Sequence, residues 1–86
     1  MDDLEICKRI AEIENYRGWE KMSTRGIAGV FNPLTDDALC FRLMVKYKMD
    51  FIPYYPDEYR AQIKNTYVVN KSPNKAICLA IIEANK

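Results

Sequence analysis

The side chains of this 86-residue chain that could do chemistry are few, and their spacing suits none of the common reactions. There is no histidine, the residue that most often moves protons near neutral pH. Acid–base catalysis would therefore need a carboxylate, lysine or cysteine pushed far from its ordinary pKa. Asp36 and Asp37 are paired carboxylates, but they stand just ahead of an apolar helical pattern, where acids complement the positive end of a helix dipole. Cys7, Cys40 and Cys78 show no Cys-x-x-Cys spacing, and with no histidine they do not make a zinc ligand set. Each is flanked by Ile, Leu or Ala in a helical pattern rather than by the positive charge that activates a thiol. That predicts small core side chains in a reducing compartment. The three glycines, Gly18, Gly26 and Gly29, match neither the dinucleotide-binding pattern nor the Walker pattern. The expectation is no enzyme, no metal and no cofactor.

Aromatic residues beside arginine are the remaining candidates. Trp19, Tyr54, Tyr55, Tyr59 and Tyr67 cluster around the irregular segments, interleaved with Arg17, Arg25, Arg60 and Lys64. Trp, Tyr and Arg anchor protein interfaces, which makes Trp19, Arg25, Tyr54, Tyr55, Tyr59, Arg60 and Tyr67 the candidate partner-binding residues. The same types on a sheet can stack single-stranded bases, so a single-stranded nucleic-acid binder is the alternative. Tyrosine also favours strands for packing reasons alone. Thirteen basic residues against twelve acidic leave a net charge of +1, which gives no field to attract phosphates and favours a protein partner. No segment approaches the roughly twenty apolar residues of a membrane span, and MDDLEICKRI is acidic and amphipathic, unlike a secretory signal. The chain is expected to be soluble and cytoplasmic.

The elements that must position these residues follow from the hydrophobic spacing. With 49% hydrophobic and 29% charged residues the chain has globular composition, and its length predicts one domain over residues 1–86. Leu4, Ile6, Cys7, Ile10, Ala11 and Ile13 share one side of a helix from residue 2 to about 16, with Gly18 as its stop. A loop and then a short strand at Ile27–Val30 precede Asn32-Pro33. Thr35 is the expected N-cap of a second helix reaching about Met49, with Leu34 stapled onto Leu39. Phe51–Tyr55 is broken by Pro53, so any strand there is expected to be an edge strand or bent. Tyr59, Ala61 and Ile63 alternate with Arg60, Gln62 and Lys64 before Tyr67-Val68-Val69, which predicts a hairpin. Ser72-Pro73 is an N-cap followed by proline at the first helical position of a last helix reaching Asn85. The fold class is α+β, a small antiparallel or mixed sheet of three to four strands packed by three helices. The second and third helices are apolar almost all round, which predicts that they cover each other or that a second copy covers them as a homodimer.

Phe31, Asn32, Pro33, Leu34 and Asp36, together with Pro73, Ala76, Ile77, Cys78 and Ala80, carry a resemblance. With the N-terminal helix and the lone Trp19 after Tyr16-Arg17-Gly18, the chain resembles small phage and prophage proteins of the alpha-beta-alpha sandwich family. It lacks that family's usual run of aromatic and glycine residues between Trp19 and Phe31. The resemblance implies the fold and a phage- or prophage-encoded accessory protein in the cytoplasm of a bacterial host. The expected function is non-enzymatic binding of a host protein or assembly, and the phage context suggests an inhibitor in counter-defence of the anti-CRISPR kind. It transfers no catalytic residue.

Overall fold

A computed structural model describes residues 2–15, 32–54 and 56–86. Within them the order is helix α1 (Asp3–Ile13), helix α2 (Asp37–Lys46), strands β1 (Asp50–Tyr54), β2 (Glu58–Ile63) and β3 (Thr66–Asn70), and helix α3 (Pro73–Ala84). The architecture is α+β, as the spacing predicts. The expected strand at Ile27–Val30 and the stop at Gly18 lie outside the described residues.

Each helix begins on a side chain that satisfies an orphan backbone donor. Asp2 accepts the Glu5 N–H at 2.8 Å, Asp36 accepts the Leu39 N–H at 3.1 Å, and Ser72 accepts the Lys75 N–H at 3.3 Å ahead of Pro73. The expected cap Thr35 is thus replaced by its neighbour. The Asn32 carbonyl accepts the backbone N–H groups of Thr35 at 3.1 Å and Asp36 at 2.9 Å, closing a turn that places Asp36 first in the helix. The helices also end earlier than periodicity suggests. Asn15 at φ 55° follows α1 and Lys48 at φ 51° follows α2, and this left-handed geometry turns the chain out of the helical path.

The three strands form one antiparallel sheet in the order β1-β2-β3. Phe51, Ala61 and Val68 lie opposite one another across it, and the edge strand β1 carries Pro53, whose missing N–H an edge tolerates. Two residues, Lys64-Asn65, join β2 to β3, with Lys64 at φ 54°.

Helix α3 packs along β2 and β3, and both α1 and α2 pack on α3. That arrangement explains its composition, since Ala76, Ile77, Cys78, Ala80, Ile81 and Ile82 are all buried. The apolar circumference of α3 is covered within the chain. One core unites these residues with Ile6, Ile10, Cys40, Leu43, Ala61 and Ile63. Asn74 ties α2 to α3 by donating from Nδ2 to the Leu34 carbonyl and to Asp37, each at 3.0 Å.

Candidate protein-binding face

Side chains of a strand alternate between faces, and the sheet here has two unlike ones. Ala61 and Ile63 point into the core with their partners Phe51, Val68 and Thr66. The opposite face carries Ile52, Arg60 and Val69 in one cross-strand row, Asp50, Gln62 and Tyr67 in the next, and Tyr54 opposite Glu58 at the far end. On it Ile52 is 49% exposed, Tyr54 46% and Tyr67 59%.

Arg60 organises this face. Its guanidinium carbon lies 4.7 Å from the centroid of the Tyr67 ring, within the range of cation–π attraction, and its Nη2 donates to the Gln62 side-chain oxygen at 2.5 Å. Gln62 in turn donates to the Lys64 carbonyl at 2.9 Å. Arg60 Nε is enclosed and has no hydrogen-bond partner among the described residues, so the fork retains one unspent donor. Beyond Tyr54, the β1–β2 connection borders an open depression of about 440 Å³ lined by Pro53, Tyr54, Pro56 and Glu58 among others.

Of the sequence-predicted site residues, Tyr54, Arg60 and Tyr67 share this face. Tyr59 sits on the other one: its ring stacks on Phe51 at 5.6 Å between centroids and packs against the core. Trp19, Arg25 and Tyr55 lie outside the described residues. Ile52 and Val69, absent from the sequence-derived set, fill the row between the tyrosines. Strand alternation places Val69 beside Tyr67, whereas Ile52 depends on the register of β1, which spacing alone does not give.

The thiols are enclosed in the fold. Cys7, Cys40 and Cys78 are buried and free, and Cys7 donates to the Asn32 side-chain oxygen at 3.3 Å. Burial raises the Cys7 pKa. A hydrogen bond with Cys40, together with burial, holds the proton on Cys78 well above the usual thiol range. The same bond favours the thiolate at Cys40 while burial opposes it. Among the described residues no group of three His, Cys, Asp or Glu side chains converges as a metal site.

One polar contact away from the sheet has a measurable signature. Glu14, just past α1, receives the Lys46 ammonium at 2.7 Å and the Tyr47 hydroxyl, clasping α1 to the end of α2. Burial first, then the hydrogen bond to Glu14 and its negative charge, push the Tyr47 phenol above its ordinary range. In the unfolded chain Tyr47 ionises near pH ~10, whereas the folded chain keeps its proton to higher pH. Its stabilising contribution is therefore complete below about pH 10 and lost as the pH climbs through the raised value. Tyr47→Phe is expected to cost about 1 kcal/mol at pH 7. Urea denaturation at pH values from 7 to above 10 should show that difference narrowing at the alkaline end, and a constant difference would disprove the linkage.

No family model, curated protein or solved structure matches this chain. No helix among the described residues is long and apolar enough to cross a membrane.

Proposed function

We propose that the chain is a non-enzymatic accessory protein that binds another protein through the outer face of its sheet. The observation that carries the reading is Arg60 stacked on Tyr67, on the same sheet face as exposed Ile52 and Tyr54. Desolvated aromatic and arginine anchors inside a polar rim are how a small surface gains affinity. Asp50, Glu58, Gln62 and Lys64 form that rim. Following the resemblance, the partner is a protein or assembly of a bacterial host, and inhibition in counter-defence is the role proposed for the contact.

The same face is less suited to a nucleic acid. Asp50 and Glu58 sit in the rows on either side of Arg60, so a phosphate backbone laid along it would meet acids at both ends. A protein partner can instead set its own cations against those acids.

Immobilised wild-type chain should capture a defined set of proteins from bacterial host lysate. Tyr67→Ala and Arg60→Glu should each reduce that capture more than tenfold, consistent with loss of a ~2 kcal/mol anchor, while circular dichroism shows the fold retained. Capture indifferent to both variants would refute the reading. Titration of labelled single-stranded oligonucleotides at low and high salt forms the second arm, and salt-sensitive binding abolished by the same variants would transfer the face to nucleic acid.

A further inference from the structure

The two edges of the sheet are unlike. The two-residue turn Lys64-Asn65 makes Ile63 and Thr66 a hydrogen-bonded pair. Backbone direction alternates along a strand, so Thr66, Val68 and Asn70 turn their N–H and C=O groups to β2, while Tyr67 and Val69 turn theirs away from the sheet. The same parity carried across β2 points Asp50, Ile52 and Tyr54 of β1 into the sheet and leaves Phe51 and Pro53 facing out. Proline has no N–H, so the β1 edge lacks a donor where another strand would need one. β3 has no such protection. Thr66–Asn70 contains neither proline nor a charged residue and ends the strand order. Among the described residues nothing is hydrogen-bonded to the outward groups of Tyr67 and Val69.

An open strand edge is completed by another strand, and a second copy of β3 fits it. When two copies lie antiparallel about a two-fold axis through Val68, Tyr67 of each falls opposite Val69 of the other, and both pairs exchange their N–H···O bonds. Sliding one copy by two residues sets Val69 opposite Asn65 or Tyr67 opposite Lys71, outside the strand, so this register alone uses both outward residues. Its side chains match as well. A ring meets a branched side chain on the outer face, Val68 meets its own copy on the core face, Thr66 meets Asn70, and no like charges face each other.

The helix layer fits the same axis. Cys40, Phe41 and Met44 of α2 border one groove with Phe51 of β1 and Ile77 of α3, so α2 covers the β1 side and Ile77 faces it. Leu79, two residues and about 200° further round α3, faces the other way, towards the open edge, and is half-buried. It stands six residues or about 9 Å into α3, and Val68 two residues or about 7 Å from the end of β3, so the two lie near one level. Because α3 packs on both β2 and β3, two strand spacings, about 9.5 Å, separate it from its copy, within the roughly 8–10 Å of packed helices. Leu79 then meets Leu79, and Lys75 and Glu83, one turn to either side, reach the levels of Glu83 and Lys75 of the copy. Each turns about 40° from Leu79, to opposite sides, an offset that their long side chains span. Lys75 also holds Asp3 at 3.0 Å and Glu83 holds Lys86 at 3.1 Å, but both pairs are at the surface and open to exchange. We infer that β3 is the interface of a symmetric homodimer, in which two sheets join edge to edge into one. The face around Arg60 stays open on the joined sheet, and the inference stands independently of the proposed function.

One strand and one helix flank from each copy make a contact below the ~1,200 Å² of stable interfaces, so the dimer is a weak one. Sedimentation equilibrium should show the weight-average mass rising from 10.1 kDa at ~10 μM protein towards twice that value near ~1 mM. Val69→Pro removes an outward N–H and no bond of the sheet, as Pro53 does on β1. It should weaken association by about tenfold or more, with circular dichroism unchanged. Cross-linking reads the register. Val68→Cys sets two thiols at the axis with Cα atoms ~4.5 Å apart, within disulfide range, and should give a reducible covalent dimer with oxidised glutathione. Thr66→Cys, ~14 Å from its copy, should not, and neither should the wild type, whose own cysteines are buried. A wild-type monomer at ~1 mM, a dimer indifferent to a folded Val69→Pro, or cross-linking at position 68 no better than at 66 would each overturn the inference.

Discussion

Replacing Ile81 by alanine is expected to cost roughly 3–4 kcal/mol, within the range for deleting a fully buried isoleucine to its Cβ. Ile81 is 0% exposed, in the C-terminal third of α3. It belongs to the one core that α3 shares with the sheet, α1 and α2, where close packing limits relaxation into a void. Domains of this length hold about 4–13 kcal/mol in all, so the loss is a large share of the total. The thermal midpoint should fall by at least ~12 °C. Leu79, on the half-buried outer side of the same helix, supplies the comparison: Leu79→Ala should cost well under half as much. Urea denaturation followed by circular dichroism measures both. Similar costs at the two positions would mean that α3 is not enclosed on the side where Ile81 lies.

The parts of this fold legible in the sequence are those set by local chemistry. Ser72 and Pro73 start α3 where expected because a hydroxyl acceptor and a missing N–H are both properties of adjacent residues. Thr35 failed as a cap because the decision belongs to Asn32, three residues upstream, whose carbonyl and side chain organise the turn first. The inward orientation of Tyr59 was legible in its alternation with Ala61 and Ile63, since residues two apart share a face. Grouping it with Tyr67 by residue type ignored that parity. Tyr54 joins Tyr67 on one face only through the pairing of β1 with β2, a tertiary fact that spacing does not carry. A helix apolar on every side shows that it must be covered, but not by what. For α3 the answer lies within the chain, whereas Phe41 and Val45 of α2 stay exposed.

The two faces of the sheet make the sharpest prediction. Ala61 lies at the centre of β2, paired on both sides, 0% exposed and facing α3, where Ala76 and Ala80 are also 0% exposed. All three belong to the same core, and α3 packs along β2; a fully enclosed alanine leaves no room for a longer chain, and among the described residues there is no buried cation to meet a charge. Ala61→Glu would place an ionised carboxylate there, at a penalty of several kcal/mol added to the overpacking strain. That sum is comparable to the whole stability of the domain, so the variant is expected to lose its cooperative unfolding transition at pH 7. Burial would raise the pKa of the new carboxyl above the ~4.3 of the unfolded chain. The destabilisation should then be smallest below that value and grow as the pH rises through the raised one. Tyr67→Glu puts the same charge on the neighbouring strand but on the exposed face, where water solvates it, and should cost no more than about 1 kcal/mol. Denaturation curves for the two variants at pH 4 and pH 7 decide the matter. Comparable losses at Ala61 and Tyr67 would mean that both faces are covered, and a face already occupied in the monomer could not serve as the docking surface built around Arg60.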